Sequence, residues 1–239
     1  MRGFFITGTD TGVGKTAVTG AMAHVLRRRG LDPGVMKPAA TGCIRRGAEL
    51  VAADALFLAR MAGVDDALDL ICPCRLELPL APAVAAQLSG ERVDLSKMEE
   101  AFRLLGSRHR VMLVEGVGGL MVPLSGAFLV EDLAVRFNLP LLVVARPDLG
   151  TINHTLLTIS RARQRGLSVA GVVVNGLPGE PDAAQRTSPL VIGSLSGVKI
   201  LGVIPRDGEV DVEAGRPGNL AALAGEHLDW PALLAELEG

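Results

Sequence analysis

The sequence predicts an α/β fold: a single domain over residues 1–239 with a mainly parallel central β-sheet flanked by helices. Three observations predict it. Continuous apolar runs of four to six residues recur along the chain, as strands buried on both faces require. Between them lie longer stretches whose apolar residues recur at helical spacing. The third is composition: 239 residues are 49% hydrophobic but only 3% aromatic, with no tyrosine, so aliphatic side chains must fill the core. That length suits one large domain or two small ones. One is favoured, because no Ser/Gly linker, low-complexity segment or internal repeat interrupts the pattern.

The elements follow in order. Phe4–Thr7 is a short apolar strand, and a glycine-rich turn over 8–14 follows it. Ala17, Val18, Ala21, Met22, Val25 and Leu26 then mark a helix, with Gly30 placed to end it. Arg27–Arg29 falls in its last turn, where cations suit the helix dipole. Gly34–Lys37 is the next strand, stopped by Pro38. A polar stretch over 41–49 leads to a helix over 50–61. A Pro-rich turn at 79–82 precedes a short helix over 83–88. Ser96 with Glu99 three places on reads as a capping box and opens a helix over 96–107. The remaining strands are Val111–Val114, Leu141–Ala145, Val169–Val174 and Lys199–Val203. Helices at about 128–137, 151–165 and 182–195 separate them, and weaker ones at 218–225 and 230–238 end the pattern.

Charge and cysteine usage exclude several classes. The formal charge of −2, from 24 basic and 26 acidic residues, supplies no basic excess for nucleic acid or anionic lipid. No apolar run reaches the ~18 residues of a membrane span. The chain runs almost at once into a strand-like FFITG without a signal-peptide pattern, so the cytoplasm is expected. Cys43, Cys72 and Cys74 form an odd, sparse set. Cys72-Pro73-Cys74 is not a C-x-x-C pair, and structural thiols in a reducing compartment are the plain reading.

The strongest local signal is Gly8-Thr9-Asp10-Thr11-Gly12-Val13-Gly14-Lys15-Thr16. It follows a strand and opens a helix, the context of a phosphate loop and of a P-loop NTPase type of fold. Glycines let backbone N–H groups turn toward phosphate oxygens, which the helix N-terminus also attracts. Lys15 reaches the phosphates in such a loop, and Thr16 offers its hydroxyl to Mg2+. The strict pattern wants glycine at position 9, where this chain has Thr9.

Other candidates gather at the carboxyl ends of strands, where parallel sheets bind ligands. Glu115 closes the VMLV strand and reads as a metal ligand or as a turn acid. Asp54, near a helix start, reads as a metal ligand or as a solvated helix acid, and Asp10 competes with it. Lys37 reads as a second cation stabilising transferred charge or as a strand-end lysine facing water. Thr41 donates to a polar substrate or caps a turn. Asn175 and Gly176 present a base-reading amide or an Asn-Gly turn. His24, His109 and His154 show no metal spacing.

Together these motifs resemble those of the dethiobiotin synthetase family. The resemblance rests on GTDTGVGKT at 8–16, KPAATG at 37–42, EGVGGLMVPL at 115–124, DLGTINHTLLT at 148–158, VVVNG at 172–176 and LGVIP at 201–205. It covers most of the chain, in order. It implies an ATP-dependent cyclo-ligase of biotin biosynthesis that joins CO2 to 7,8-diaminopelargonic acid. The implied course is a carbamate on one amine, its phosphorylation by ATP to a mixed anhydride, and ring closure by the second amine.

Carried over by position, the resemblance implies that Thr11, Gly12, Val13, Gly14, Lys15, Thr16 and Ala17 hold ATP. Thr16, Asp54 and Glu115 would hold Mg2+. Lys37 would be the active-site lysine beside Lys15. Thr41, Gly118 and Gly119 would contact the diamine, and Gly116, Val117 and Gly118 would lie beside ATP. Asn175, Gly176, Ile204, Pro205 and Arg206 would form the adenine side. A homodimer is implied, with small-molecule substrates and neither nucleic acid nor membrane as partner.

The chain departs from the family in three places. Gly12 stands where many members carry Glu, and Ala83 follows Pro82 where His is common. There is no tyrosine to close the diamine carboxylate site from the partner subunit, leaving Ser188, Ser194 or backbone N–H groups to substitute. Two other classes compete. A cobyrinate-type amidotransferase usually needs a glutaminase domain, for which little length remains. A partitioning or septum-positioning ATPase carries an early lysine in K-G-G-x-G-K-T, and Thr9–Gly12 holds none.

Overall fold

The computed structural model describes residues 1–238. Its central sheet has six strands: β1 (Gly3–Gly8), β2 (Pro33–Met36), β3 (Val111–Glu115), β4 (Leu141–Ala145), β5 (Val169–Leu177) and β6 (Ile200–Pro205). They lie in the order β6-β5-β4-β1-β3-β2, and each neighbouring pair is parallel. The helices are α1 (Lys15–Arg28), α2 (Ala53–Ala62), α3 (Leu68–Ile71), α4 (Pro82–Ser89) and α5 (Leu95–Arg108). They continue with α6 (Val130–Phe137), α7 (Thr151–Gln164), α8 (Ala183–Ser196), α9 (Leu220–His227) and α10 (Trp230–Glu238). The predicted α/β class, mainly parallel and flanked by helices, is the observed one.

Strand alternation builds the two faces. Phe4 and Ile6 of β1 enter a core with Met22, Leu26, Leu58, Leu220 and Leu233, so α1, α2, α9 and α10 cover that side. Phe5, between them, enters the opposite core with Met98, Leu105, Leu133 and Phe137 of α5 and α6. A third cluster joins Val143, Val172 and Val174 to Ile159 of α7 and Ile192 of α8. Each such buried side chain contributes about 1.5–3 kcal/mol. The scarce aromatics are concentrated: Phe102 and Phe137 stack at 4.0 Å between centroids, and Phe5 lies 6.4 Å from Phe137.

Several details differ from the sequence expectations. The helix expected over 96–107 begins at Leu95, and its cap is Asp94, which accepts a bond from the Lys97 N–H at 3.1 Å. Ser96 lies inside the first turn, and Glu99 instead pairs with Arg136. A hairpin, Ile44–Arg46 against Glu49–Val51, fills the end of the polar stretch and takes the first residues of the helix expected over 50–61, so α2 starts only at Ala53. β5 and β6 run on to Leu177 and Pro205, beyond the apolar runs that signalled them. The three cysteines are buried free thiols, and burial pushes the Cys72 and Cys74 pKa values up, which keeps both sulfurs unreactive.

From β1 the chain crosses through α1 to the far edge at β2 and returns to β3. It then passes to β4 on the other side of β1. The carboxyl ends of β1, β3 and β4 therefore surround a topological switch point, where open α/β sheets form their binding crevice.

Candidate functional site

The loop between β1 and α1 opens onto this crevice. Gly12 and Gly14 hold φ of 74° and 90°, a region only glycine adopts freely. At Gly14 the missing side chain is also a matter of space. A Cβ there would lie 2.1 Å from Asn175 Nδ2. That amide donates to the Val13 carbonyl at 3.2 Å, so β5 braces the loop from outside. Asn175 was expected at the adenine side; with one Nδ2 hydrogen given to Val13, its Oδ1 and the second Nδ2 hydrogen remain for other partners.

Lys15 is buried at the first position of α1. Its ammonium folds back over Gly8 and donates to the Asp10 carbonyl at 3.1 Å. Burial, with Lys37 nearby, lowers its pKa from 10.5 to about 8. An anion at the loop would reverse this by supplying the missing countercharge. Asp10 itself is exposed, and its Oδ1 accepts from the Thr11 N–H at 2.7 Å.

A charge cluster lies beside the loop. Lys37 follows β2 directly and is only 4% exposed. Its Nζ stands 2.5 Å from Glu115 Oε1 and 2.9 Å from Asp54 Oδ2. It also approaches the Gly116 carbonyl at 3.5 Å. Burial desolvates this ammonium, but Glu115 and Asp54 outweigh that and hold its pKa above the ordinary lysine value. Burial pushes the Glu115 carboxyl up, against the pull of Lys37. Thr16 Oγ1 donates to the same Glu115 Oε1 at 2.8 Å. The strand-end lysine facing water is therefore not what the fold contains.

Thr16, Asp54 and Glu115 meet around this one point although 99 positions separate Thr16 from Glu115. Their fit to Mg2+ is supported by Glu115 Oε2, which is buried without a hydrogen-bond partner among the described residues. Two carboxylates and a hydroxyl are the hard oxygen donors that Mg2+ takes.

Two cavities flank the loop. The larger, of about 630 Å³, is lined by Gly12–Gly14 and Ala17 on one side and by Asn175, Gly176, Pro205 and Arg206 on the other. Ile204 does not line it: the side chain is fully buried beneath the α1 and α9 face, so its place there is in the core. Arg146, Asp148 and Gln185 line the same cavity, and Gln185 Nε2 donates to Asp148 Oδ1 at 3.0 Å. Sequence reasoning missed these three. Asp148 lies in the DLGTINH motif, but Gln185 sits in the first turn of α8 with no local pattern to mark it.

The smaller cavity, of about 360 Å³, lies between Gly8–Thr11, Gly119–Val122 and α7. Gly119 approaches so closely that a Cβ there would sit 3.2 Å from the Gly8 carbonyl. Gly118, at φ 60°, lies with Val122 and Thr11 as its nearest neighbours. Val117 is half-buried, and a Cβ at Gly116 would meet Phe5 and Val130. Thr41 is half-buried just past the short pairing of Ala39–Ala40 with Cys74–Arg75. Ser188, expected as one stand-in at a carboxylate site, is buried and donates to the Pro147 carbonyl at 3.4 Å, while Ser194 is exposed farther along α8.

Comparisons with known proteins follow the same lines. The AAA domain family model matches residues 2–214. The ATP-dependent dethiobiotin synthetase BioD of Thermodesulfovibrio yellowstonii is 44% identical over 211 residues, covering 85% of this chain and 88% of that protein. The BioD of Bacillus subtilis strain 168 is 39% identical over 213 residues, covering 89% and 91%. Among solved structures, the MinC:MinD cell division complex of Aquifex aeolicus matches with a TM-score of 0.59 at 18% identity, covering 100% of this chain and 93% of that one. A ParA family ATPase of Chlorobium tepidum matches at 0.54 and 13%, covering 98% and 97%. At such identities these two likenesses concern the fold alone.

Proposed function

The chain belongs to the dethiobiotin synthetase family, and from that premise we infer that it is an ATP-dependent cyclo-ligase. It closes 7,8-diaminopelargonic acid (7,8-diaminononanoate) with CO2 into the cyclic urea of dethiobiotin, releasing ADP and phosphate. One amine adds to CO2 and loses a proton, giving a carbamate. A carbamate oxygen takes the γ-phosphoryl group, and ADP leaves. The second amine then attacks the carbamate carbon, the C–O bond to phosphate breaks, and a proton leaves the new ring nitrogen.

The observation that carries the site assignment is the Lys37 ammonium set between Glu115 and Asp54 beside Lys15. Its two carboxylates keep Lys37 protonated, so its work is electrostatic and not proton abstraction. Two ammonium groups face a crevice where negative charge accumulates on carbamate and phosphoryl oxygens, and such preorganised charge is a large catalytic term. Lys15 and the loop N–H groups orient the phosphates. Asn175 holds the loop's shape, and the walls at Gly176, Pro205 and Arg206 support a nucleoside position in the larger cavity. Thr16, Asp54 and Glu115 would hold Mg2+, which when bound supplies charge neutralisation at the phosphates. Thr41, Gly118 and Gly119 are assigned to the diamine.

A homodimer in the cytoplasm, with neither nucleic acid nor membrane as partner, completes the reading. The family resemblance and the exposed apolar Met121, Leu149 and Leu157 support a subunit contact, which light scattering of the purified chain tests. No helix of the described residues is long and apolar enough to cross a membrane. The activity is tested with 7,8-diaminononanoate, bicarbonate, ATP and Mg2+. Dethiobiotin and phosphate are expected to appear together and only with the diamine present. Phosphate release indifferent to the diamine would refute the assignment.

A further inference from the structure

One cation of the larger cavity has no settled partner. Arg146 directly follows β4 and lines the same cavity as Gly12–Gly14. The phosphate loop is stitched to this strand end, where the Thr9 N–H donates to the Val144 carbonyl at 3.0 Å. Arg146 is thereby held beside the loop, yet its Nε is buried without a hydrogen-bond partner among the described residues. Leaving a buried donor unmet is costly, so such a group calls for a partner.

The acids around it leave the guanidinium available. Asp10 of the loop has Oδ2 3.9 Å from Arg146 Nη1, within ion-pair range but too long for a hydrogen bond. The two side chains are 38% and 50% exposed, where such a pair is weak. Asp10 is also engaged through Oδ1, which accepts from the Thr11 N–H. The other acids lining the cavity are committed elsewhere. Asp148 accepts from Gln185 at 3.0 Å. Asp207 accepts from the Glu209 and Asn219 N–H groups at 2.9 and 2.6 Å. The second cation, Arg206, follows β6 on the Asn175 and Pro205 side.

The loop leaves room for an anion. A Cβ at Gly12 would meet no atom within 4 Å, so the backbone there borders open space. A phosphate group offers several oxygens and more than one negative charge, and a guanidinium offers a planar fork of donors that matches it. Phosphates therefore outcompete a lone, half-exposed carboxylate for this side chain.

We propose that Arg146 binds the phosphate oxygens of the nucleotide and that Asp10 competes with them for its guanidinium. This rests on the nucleotide-binding part of the cyclo-ligase reading and deepens it. The same pair could instead be a brace that holds the loop in shape. The two uses differ in sign. Removing either partner of a brace weakens nucleotide binding, whereas the two competitors act in opposite directions.

The test measures Kd for ATP, ADP and adenosine by equilibrium dialysis of the full chain with Mg2+ and no diamine. Arg146→Met is expected to raise Kd for ATP and ADP about tenfold, the lower range for a charge-assisted hydrogen bond, and to leave adenosine unmoved. Arg146→Lys, which keeps charge and loses the fork, recovers part of this and serves where the Met variant does not fold. Asp10→Asn keeps the oxygen that accepts from Thr11 and removes the charge. It is expected to lower Kd for ATP about two- to fivefold, a gain that disappears in Arg146→Met/Asp10→Asn. Folded Arg146 variants with the wild-type Kd for ATP overturn the assignment, as does a rise as large for adenosine. Weaker ATP binding in Asp10→Asn returns the pair to a brace. A gain of full size in the double variant overturns the competition, since Asp10 would then act on the phosphates directly. A wild type that binds ATP but forms no dethiobiotin overturns the cyclo-ligase reading and leaves this inference standing.

Discussion

Lys37 and Glu115 set each other's state, and neither can be removed alone without leaving the other stranded. Breaking a buried ion pair from one side costs about 3–5 kcal/mol, because an unpaired charge stays behind. Lys37→Met is therefore expected to lose stability on that order and turnover by about 10²–10³, with ATP still bound. Lys37→Met/Glu115→Gln should recover most of the stability and none of the turnover. Urea titrations beside single-turnover assays separate the two, and a double variant no more stable than the single one would refute the pairing. Asn175→Ala removes one neutral hydrogen bond, to Val13, worth about 1 kcal/mol. About a fivefold rise in KM for ATP is expected, with KM for the diamine unmoved. These residues were legible because each sits in a motif at a strand end. Gln185 was not, because its position follows from which helix the sheet order brings beside the loop.

At the level of elements, continuous apolar runs identified all six strands of the sheet, since strands buried on both faces leave no ambiguity about side. The short pairings such as 44–46 with 49–51 escaped, because two or three residues carry no period. The start of α5 shows where local pattern competes with itself. Asp94-x-x-Lys97 and Ser96-x-x-Glu99 both place a capping oxygen before an apolar stripe. The earlier residue wins, as Asp94 is still extended at φ −90° and ψ 101° while Ser96 is already helical. Asp94→Ala is accordingly expected to cost about 1 kcal/mol, and Ser96→Ala less than about 0.5 kcal/mol. Equal losses by chemical denaturation would return the cap to Ser96.

The molecule as a whole is held at its sheet edge by a second charge cluster, remote in sequence from the motifs. His109, just past α5, faces Asp32 Oδ1 with Nδ1 at 3.1 Å and Asp66 Oδ2 with Nε2 at 2.8 Å. Arg108 also bonds Asp66, at 2.8 Å. The cluster ties α5 to the residue before β2 and to the segment between α2 and α3. Burial works against the imidazolium, but Asp66 and Asp32 prevail and raise the His109 pKa above 6.5. Burial likewise works against the Asp66 carboxylate, but His109 and Arg108 carry its pKa below 3.8. A raised histidine contributes fully below its unfolded pKa and loses that contribution as pH climbs through the folded value. A lowered aspartate contributes above its unfolded pKa and loses it as pH falls through the folded value. Their joint contribution is therefore greatest between about pH 4 and 6.5. The stability advantage of wild type over His109→Gln in urea, the variant never carrying the charge, should shrink as pH rises above about 6.5. The two curves converge at the alkaline end if the imidazolium is what braces the edge. Curves that stay parallel throughout would mean that His109 acts by packing against Gly34, with its charge contributing nothing.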